Sequence, residues 1–434
     1  MPKRILLFVQ LALFLTCAAS PDSRAQTRRP SQALRQLTEH RQKLSETLQR
    51  DAEKVRERSP STPVLPPDPD GVDEALIKFA AELAAGFKVE DWKGEELRAL
   101  GELYQTAEQF APAAEAFRAY LKDEAKSQSG RMPNVRARLI LAMIEAEQLD
   151  EAEKSLEGDE WIATRNPGEV SARTGIYRNL SLAFRDRGLY EKAAAHAEKG
   201  YRMVSSLILS GNLPPFMLER TEQNLIALAA VAVAAHERLG RKKEADDLNK
   251  LAIDTDFERR PELRSVYESE LAAARLIGTA APELEVSQWI EGAERAPKSL
   301  AGLRGNVVLL YFWAMWSEPF VNSAPRLRGF ESKFAGLGFE IVGLTKFYGR
   351  SDTEEALSRE QEIKSLQNFR TRHQLRYPFA VGKMDDVTNE ERYGVAVPPT
   401  MVLIDRRGYV RNIKRGVGEY RKLERQIEKL IGEK

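Results

Sequence analysis

An abrupt change in sequence character at Ile277 constrains the fold more than any other feature of the chain. Residues 72–276 are rich in Ala, Leu, Glu, Arg and Lys and contain almost no β-branched or aromatic runs, which predicts helices throughout. After Ile277, short apolar runs alternate with helical patterns and glycine turns, as is typical of an α/β sheet. We therefore predict a multidomain chain, with an all-α domain over 72–276 followed by an α/β domain over 277–434.

The helical region repeats a pattern of large residues followed by small ones. The clearest copy places Tyr104 on a first predicted helix and Ala113 on a second, and further copies centre on Ala152, Ala193 and Ala245. Such pairs let two helix backbones approach closely in a hairpin, and they resemble tetratricopeptide repeats. Successive alanines lie 39, 41 and 52 residues apart, against a family period of about 34. The resemblance implies a stack of hairpins whose groove binds peptides or proteins; the alternative is an irregular helical bundle.

The N-terminus predicts a secretory signal peptide over residues 1–25. Two basic residues precede an apolar run over 5–15 that is too short to span a bilayer comfortably, and small residues lead up to Ala25. We expect cleavage after Ala25, a secreted or periplasmic location and no membrane span in the mature chain; the alternative is an uncleaved N-terminal anchor. Residues 26–58 then predict a polar helix, and the proline-rich residues 59–71 predict a semi-rigid linker.

Composition and motifs exclude several classes of function. Lys and Arg number 66 against 65 Asp and Glu, and no basic patch is interleaved with aromatic residues, so nucleic acid is not an expected partner. The only cysteine, Cys17, lies within the predicted signal, which leaves no cysteine for a disulfide, a zinc site or an iron–sulfur cluster. Phosphate-binding glycine loops and paired metal-ligand motifs are also absent from the sequence, and we predict neither a cofactor nor a metal.

Several motifs of the α/β region occur in a characteristic order. An entry loop ends at Pro282, Gly305 precedes an apolar strand, residues 312–320 read FWAMWSEPF, and residues 397–408 read VPPTMVLIDRRG. Together they resemble the thioredoxin fold, and within it the secreted or membrane-tethered thiol-disulfide oxidoreductases (TlpA-like) and the AhpC/TSA redoxins. The resemblance covers 277–434 and implies a thioredoxin-like domain from an oxidoreductase family.

The redox motif of that family is substituted. Members carry Cys-x-x-Cys after the tryptophan, whereas this chain reads Trp316, Ser317, Glu318, Pro319, Phe320. Ser317 takes the place of the attacking thiol and Phe320 that of the resolving thiol. A serine hydroxyl does not form a mixed disulfide, and phenylalanine has no nucleophile. We therefore predict no catalytic residue at these positions.

A hydrolytic role for Ser317 would require a general base within hydrogen-bond reach. His373 is the one histidine of the α/β region, and it ends a charged stretch over 353–373 that predicts a helix. Nothing in the sequence directs His373 towards Ser317. We instead predict that Ser317 caps the following helix by accepting a hydrogen bond from a backbone N–H.

Pro399 matches the family proline that takes a cis peptide bond opposite the redox motif. The resemblance implies that the backbone of the preceding residue, Pro398, faces an extended substrate peptide. Pro398 has no N–H, so only its carbonyl could take part, and a purely structural role in the turn is the alternative. Trp313, Trp316 and Thr400 could line the same site, with one of the tryptophans belonging to the core.

The sequence therefore predicts a redox-inactive module that binds proteins or peptides and works with a tetratricopeptide-like scaffold. Its partners would be polypeptides that bind the helical groove and the thioredoxin-like face. The alternative is a thiol-disulfide oxidoreductase or peroxide reductase that uses thiols of a partner or chemistry without thiols. Whether the protein is an enzyme stays open at this point.

Overall fold

The computed structural model describes residues 28–58, 69–124, 132–157, 167–258, 260–290, 297, 299–383 and 388–433. The predicted signal peptide, including Cys17 and the cleavage position Ala25, lies outside these residues. The described chain forms a set of helices followed by a mixed sheet with flanking helices. This arrangement confirms the predicted fold class.

The helices of the first domain are α1 (Pro30–Arg58), α2 (Pro69–Ala84), α3 (Glu95–Thr106), α4 (Phe110–Glu124), α5 (Met132–Glu145), α6 (Leu149–Glu157), α7 (Pro167–Asp186), α8 (Tyr190–Leu209), α9 (Pro215–Arg238), α10 (Lys242–Ala252) and α11 (Pro261–Leu276). α1 lies within the predicted polar helix and packs against α2 and α3. α2 begins at Pro69 and so includes the last residues that the sequence assigned to the linker. Proline suits this position because the first helical turn needs no N–H from it.

Consecutive helices pair as hairpins over α3–α4, α5–α6, α7–α8 and α9–α10. Each hairpin turn contains one residue in the left-handed region: Glu108, Glu147, Gly188 and Gly240, with φ between 56° and 72°. The small residues that the sequence placed on the second helix of each pair, Ala113, Ala152, Ala193 and Ala245, are all buried. The predicted hairpins are therefore present, and their assignment to the tetratricopeptide family stays a prediction.

The second domain contains β1 (Val286–Trp289), β2 (Val307–Phe312), α12 (Glu318–Lys333), β3 (Phe339–Thr345), α13 (Arg359–Arg372), β4 (Phe379–Gly382), α14 (Asn389–Arg392), β5 (Thr400–Ile404), β6 (Val410–Arg415) and α15 (Tyr420–Gly432). The strand order is β1-β4-β3-β2-β5-β6. β2, β3 and β4 are parallel, and the other neighbouring pairs are antiparallel. Every residue of β2 is buried, as expected for a strand covered on both faces.

The two domains meet along α15, whose inward face is apolar and whose outward face is basic. Arg421, Arg425 and Lys429 lie one turn apart on the outward face and bind acidic residues at the turns of the first two hairpins. The contacts are Arg421 Nε with Glu108 (3.2 Å), Arg425 with Glu108 and with Glu145 (3.3 Å), and Lys429 Nζ with Glu147 (2.5 Å). We call this contact region, together with the neighbouring β6, the domain junction.

Arg415 at the end of β6 ties the junction to α11. Its guanidinium pairs with Glu270 and donates a hydrogen bond to the Ser269 carbonyl at 2.7 Å. Burial lowers the pKa of Arg415 to about 10. Among the helices that the structure describes, none combines the length and the apolar character needed to cross a bilayer.

Candidate functional site

The substituted redox motif lies where β2 ends and α12 begins. Ser317 is buried and occupies the N-cap position of α12, with its N–H donating to the Ala314 carbonyl at 3.0 Å. Its side chain makes no capping hydrogen bond, so the predicted capping role is wrong. A capping side chain accepts from the second or third helical N–H, and here Pro319 removes the second. The side chains of Glu318, Pro319 and Phe320 lie outside those that the structure describes.

The two tryptophans of the motif have different environments. Trp313 is 1% exposed and contacts the rings of Phe369 and Phe379 in the core. Trp316 is 38% exposed and meets the ring of Tyr348 edge-on at 5.6 Å. Trp316 is therefore the tryptophan that a ligand on this face can contact, and Trp313 supports the fold beneath it.

A loop after β3 covers one side of Trp316, and the sequence did not reveal it. The Arg350 guanidinium stands 5.2 Å from the centre of the Trp316 ring. The loop is anchored by Glu362, which is 2% exposed and accepts hydrogen bonds from the N–H groups of Tyr348 and Gly349, both at 2.9 Å. Burial, followed by Glu390 and Glu362, raises the pKa of Tyr348.

The helix predicted over 353–373 begins later than expected. α13 starts at Arg359, where Ser358 and Gln361 form a reciprocal capping box. The Ser-x-x-Gln spacing was the available sequence signal for this boundary. The residues before Ser358 are therefore free to form the loop that carries Arg350.

The proline loop ahead of β5 lies at the same edge of the sheet as the redox motif. Phe312 pairs with Thr400, so the segment that follows β2 and the segment that precedes β5 leave the sheet side by side. The Pro398–Pro399 peptide bond is cis, as predicted. The Pro399 carbonyl accepts a hydrogen bond from Gly416 N–H at 2.8 Å, which fixes the loop to the end of β6.

The residues around the cis proline differ in accessibility. Thr400 is completely buried and its hydroxyl donates to the Val397 carbonyl at 2.9 Å, so it supports the loop from below. Pro398 is partly exposed, and no hydrogen bond between described residues ends on its carbonyl. Val397 is 65% exposed. Among the side chains that the structure describes, Trp316, Val397 and Pro398 therefore contribute accessible surface to the site.

His373 is not arranged as a base for Ser317. It follows α13, its ring packs tilted against that of Phe369 at 4.2 Å between ring centres, and its carbonyl accepts a hydrogen bond from Arg328. Burial lowers the pKa of His373 to about 4, so the ring is neutral at pH 7. None of its contacts within the described residues reaches Ser317, and the hydrolase arrangement is not formed.

Comparison with known proteins concerns the second domain. The AhpC/TSA family model matches residues 277–413. Curated relatives include the thiol-disulfide oxidoreductase ResA of Geobacillus thermodenitrificans (strain NG80-2), 27% identical over 154 residues, which are 36% of this chain and 78% of the relative. ResA of Bacillus cereus (strain ATCC 10987 / NRS 248) is 29% identical over 154 residues, which are again 36% of this chain and 78% of the relative. The second domain is a thioredoxin-like redoxin domain.

Solved structures similar to this chain include the thioredoxin-like superfamily protein SPOA0173, with 24% identity and a TM-score of 0.31 over 36% of this chain and 97% of that one. A putative thiol:disulfide interchange protein DsbE from Chlorobium tepidum has 24% identity and a TM-score of 0.29 over 36% and 98%. The redoxin domain of the present chain carries serine at 317 and phenylalanine at 320, so it supplies no thiol at its redox-motif positions.

Proposed function

We propose that this protein is a secreted or periplasmic, redox-inactive binding protein whose redoxin domain holds an extended polypeptide segment of a partner. One observation carries the proposal: the loop before β5 presents Val397 and Pro398 at the same edge of the sheet as the exposed Trp316, next to a redox motif that has no sulfur. The domain therefore has a surface for a polypeptide and no group of its own for disulfide exchange.

The chemistry supports the loss of redox activity. Disulfide exchange begins with attack by a thiolate, and a helix N-terminus promotes it by lowering a thiol pKa from about 8.5. The N-terminus of α12 is in place, but the group beside it is the hydroxyl of Ser317, which does not ionise in this range. A mixed disulfide cannot form at this position.

Binding would use side-chain contacts more than backbone pairing. Extended peptides bind sheet edges through alternating N–H and carbonyl groups, and Pro398 offers only a carbonyl. Trp316 and Val397 add exposed apolar surface, and Arg350 adds a cation 5.2 Å from the centre of the indole ring. Exposed aromatic residues of this kind dominate binding energy at protein interfaces.

The helical hairpins supply the second binding surface of the proposal, as a tetratricopeptide-like scaffold. The ion pairs of α15 hold the redoxin domain against the turns that contain Glu108 and Glu147, so both surfaces keep one relative position. A protein partner that contacts both would gain affinity because the two sites are linked.

Export is supported by the basic and apolar pattern of residues 1–25. Expression with the native N-terminus, followed by fractionation and mass measurement, tests this part. A mature chain that begins at residue 26 in the secreted or periplasmic fraction is the expected result, and a full-length chain in the membrane fraction would favour the uncleaved anchor.

The second candidate function is an oxidoreductase that uses thiols of a partner. The names of the curated relatives favour it, since they are thiol-disulfide oxidoreductases. Dithiol-dependent reduction of insulin and consumption of hydrogen peroxide by the purified mature chain separate the two candidates. We expect no rate above a control without protein. Turnover that Ser317→Ala or Phe320→Ala abolishes would contradict the proposal.

Binding is tested by fluorescence anisotropy with a labelled, reduced and alkylated polypeptide. We expect Trp316→Ala and Val397→Asp each to weaken binding by about tenfold, the effect of losing a contact worth about 1.4 kcal/mol. Leu337→Asp is the matched control, because Leu337 is 51% exposed in the turn before β3, at the opposite end of the sheet. Equal binding by all three variants would contradict a peptide site at the cis proline.

The double variant Ser317→Cys with Phe320→Cys shows whether the scaffold still activates a thiol. A restored thiol that titrates below about 8.5 indicates that only the sulfurs were lost. A thiol that titrates like free cysteine indicates that the surroundings have also changed. Either result leaves the wild-type assays as the test of function.

A further inference from the structure

Two adjoining cavities lie inside the domain junction, and no residue of the cis proline loop lines either of them. Their volumes are about 330 and 250 Å³, and they share Leu182 and Asp186 of α7, Asn412 of β6, and Lys422 and Gln426 of α15. The walls therefore come from both domains. We call the two cavities together the junction cleft. Clefts between domains are frequent positions for small-molecule sites.

The lining of the smaller cavity contains more basic than acidic side chains. Its acidic lining residues each have a cationic partner that also lines the cavity: Asp186 with Arg185 (2.7 Å), Glu270 with Arg415, and Glu419 with Lys414 (3.1 Å). Two further lining cations, Arg178 and Lys422, are left over. In the part of the chain that the structure describes, neither makes a hydrogen bond or an ion pair.

Arg178 is the more constrained of the two. Its Nε is buried without a hydrogen-bond partner among the described residues. A guanidinium stays charged at any physiological pH, so a half-buried one without a partner is costly. Burial is the main cause that lowers the pKa of Arg178, and the nearby positive charge of Arg220 lowers the pKa further. The negative charge of Glu419 raises the pKa in part.

Glu419 lies within electrostatic range of both leftover cations. Burial opposes its ionisation, yet Lys414, Lys422 and Arg178 together hold the pKa of the Glu419 carboxyl below its ordinary value. The Glu419 carboxylate accepts a hydrogen bond from Nζ of Lys414 at 3.1 Å, and the side chain of this β6 lysine is largely buried. One carboxylate thus interacts with three cations, and the lining of the smaller cavity carries surplus positive charge.

Apolar side chains complete the walls. Leu182, Ile413 and Leu423 line the smaller cavity, and Ile144 and Leu403 line the larger one. This surface suits the carbon skeleton of an organic ion better than a bare inorganic one, and the volume exceeds what a single inorganic anion needs.

We propose that the junction cleft binds a small organic carboxylate, which accepts hydrogen bonds from Arg178 and Lys422 and places its carbon skeleton against the apolar wall of α7 and α15. This site goes beyond the peptide-binding function proposed above. It uses none of Trp316, Val397 and Pro398, which we call the cis proline face, and both domains contribute to it. Charge-assisted hydrogen bonds to two cations would fix the carboxylate.

Calorimetric titration of the full mature chain tests the proposal, with sodium succinate as the probe and ionic strength held constant with sodium chloride. We expect saturable binding with one succinate per chain. Arg178→Gln and Lys422→Gln should each weaken it about tenfold or more, because a hydrogen bond to a charged group is lost. Lys364→Gln, an exposed lysine of α13 outside the cleft, is the control and should leave binding unchanged.

Lys422 is exposed, so the Lys422→Gln variant should fold and gives a result even if Arg178→Gln does not fold. Absence of saturable succinate binding into the millimolar range would overturn the proposal, as would binding that both variants leave unchanged. Sodium phosphate titrated in parallel separates the chemistry. Binding of phosphate without succinate would show an inorganic anion site and would also overturn it.

Discussion

Replacing Gly200 with alanine tests how closely α7 and α8 pack. Gly200 lies in the middle of α8, where alanine alone would favour the helix by about 1 kcal/mol. A Cβ at this position would lie 2.7 Å from the Cβ of Tyr177 and 3.0 Å from Cδ2 of Leu228. Ordinary contacts between carbon atoms are about 3.5–4.0 Å. α7 would therefore have to move away from α8.

The magnitude follows from these distances. Overpacking costs about 1–3 kcal/mol, and the upper end applies here because the Tyr177 Cβ is attached to the backbone and cannot rotate away. Subtracting the helix gain of about 1 kcal/mol leaves a net loss of about 2 kcal/mol. For a helical domain of this size the melting temperature should fall by about 4–8 °C.

Gly175→Ala is the matched control. Gly175 lies in the middle of α7, and a Cβ there would lie 3.8 Å from Nδ2 of Asn224, an ordinary contact. This variant should stabilise the helical domain by about 0.5–1 kcal/mol. Scanning calorimetry and urea unfolding followed by circular dichroism measure both changes.

A melting temperature that rises in Gly200→Ala as it does in Gly175→Ala would refute the close approach of the two helices. The result also bears on the junction cleft, because Tyr177 and Arg178 are neighbours on α7. A displaced α7 should weaken succinate binding in Gly200→Ala and leave it unchanged in Gly175→Ala.

Three further predictions concern the junction and the redoxin domain. Glu108→Gln should lower the unfolding free energy by about 1 kcal/mol at low salt and by less at high salt, measured by urea unfolding, because two partly buried arginine contacts of α15 are lost. Glu362→Gln should weaken polypeptide binding in the anisotropy assay, since the two N–H groups that hold the loop beside Trp316 lose a carboxylate. Burial lowers the pKa of His373 to about 4, so the folded state binds fewer protons than the unfolded one below pH 6.5. Melting scans from pH 7 to pH 4 should show stability falling by about 1–2 kcal/mol, after allowance for partial exposure, and His373→Gln should reduce this dependence.

Local patterns were enough to predict the fold class. The Ala and Gly residues of the hairpins follow from the need of two backbones to approach, and the buried alanines confirm it. The apolar β2 likewise depends on a short segment whose residue types restrict the backbone, whereas the cis bond at Pro399 was implied by the resemblance to the thioredoxin family. Such features can be predicted because each is determined within about ten residues of sequence.

The contacts between distant segments could not be predicted in this way. In the sequence, the basic residues of α15 and Glu108 are typical of solvent-exposed positions. The fold brings them into contact although more than three hundred residues separate them along the chain. The role of Glu362 could not be predicted either. A carboxylate on a charged helix does not indicate that it will accept hydrogen bonds from two backbone N–H groups of the preceding loop. The capping role assigned to Ser317 failed for a local reason, because Pro319 removes one of the two N–H groups that a cap can reach.

β6 lines the junction cleft and also supports the loop of the cis proline face, so a substitution in β6 can affect both sites. Arg415 lines the cleft, pairs with Thr400 in the sheet, and precedes Gly416, which holds the Pro399 carbonyl. A substitution at Arg415 would therefore disturb both sites and distinguish nothing. Arg178 and Lys422 belong to the cleft alone, and Trp316 and Val397 belong to the cis proline face alone. A variant of the cleft can therefore lose succinate binding and keep polypeptide binding, and a variant of the cis proline face can lose polypeptide binding and keep succinate binding. The failure of one proposal does not affect the other.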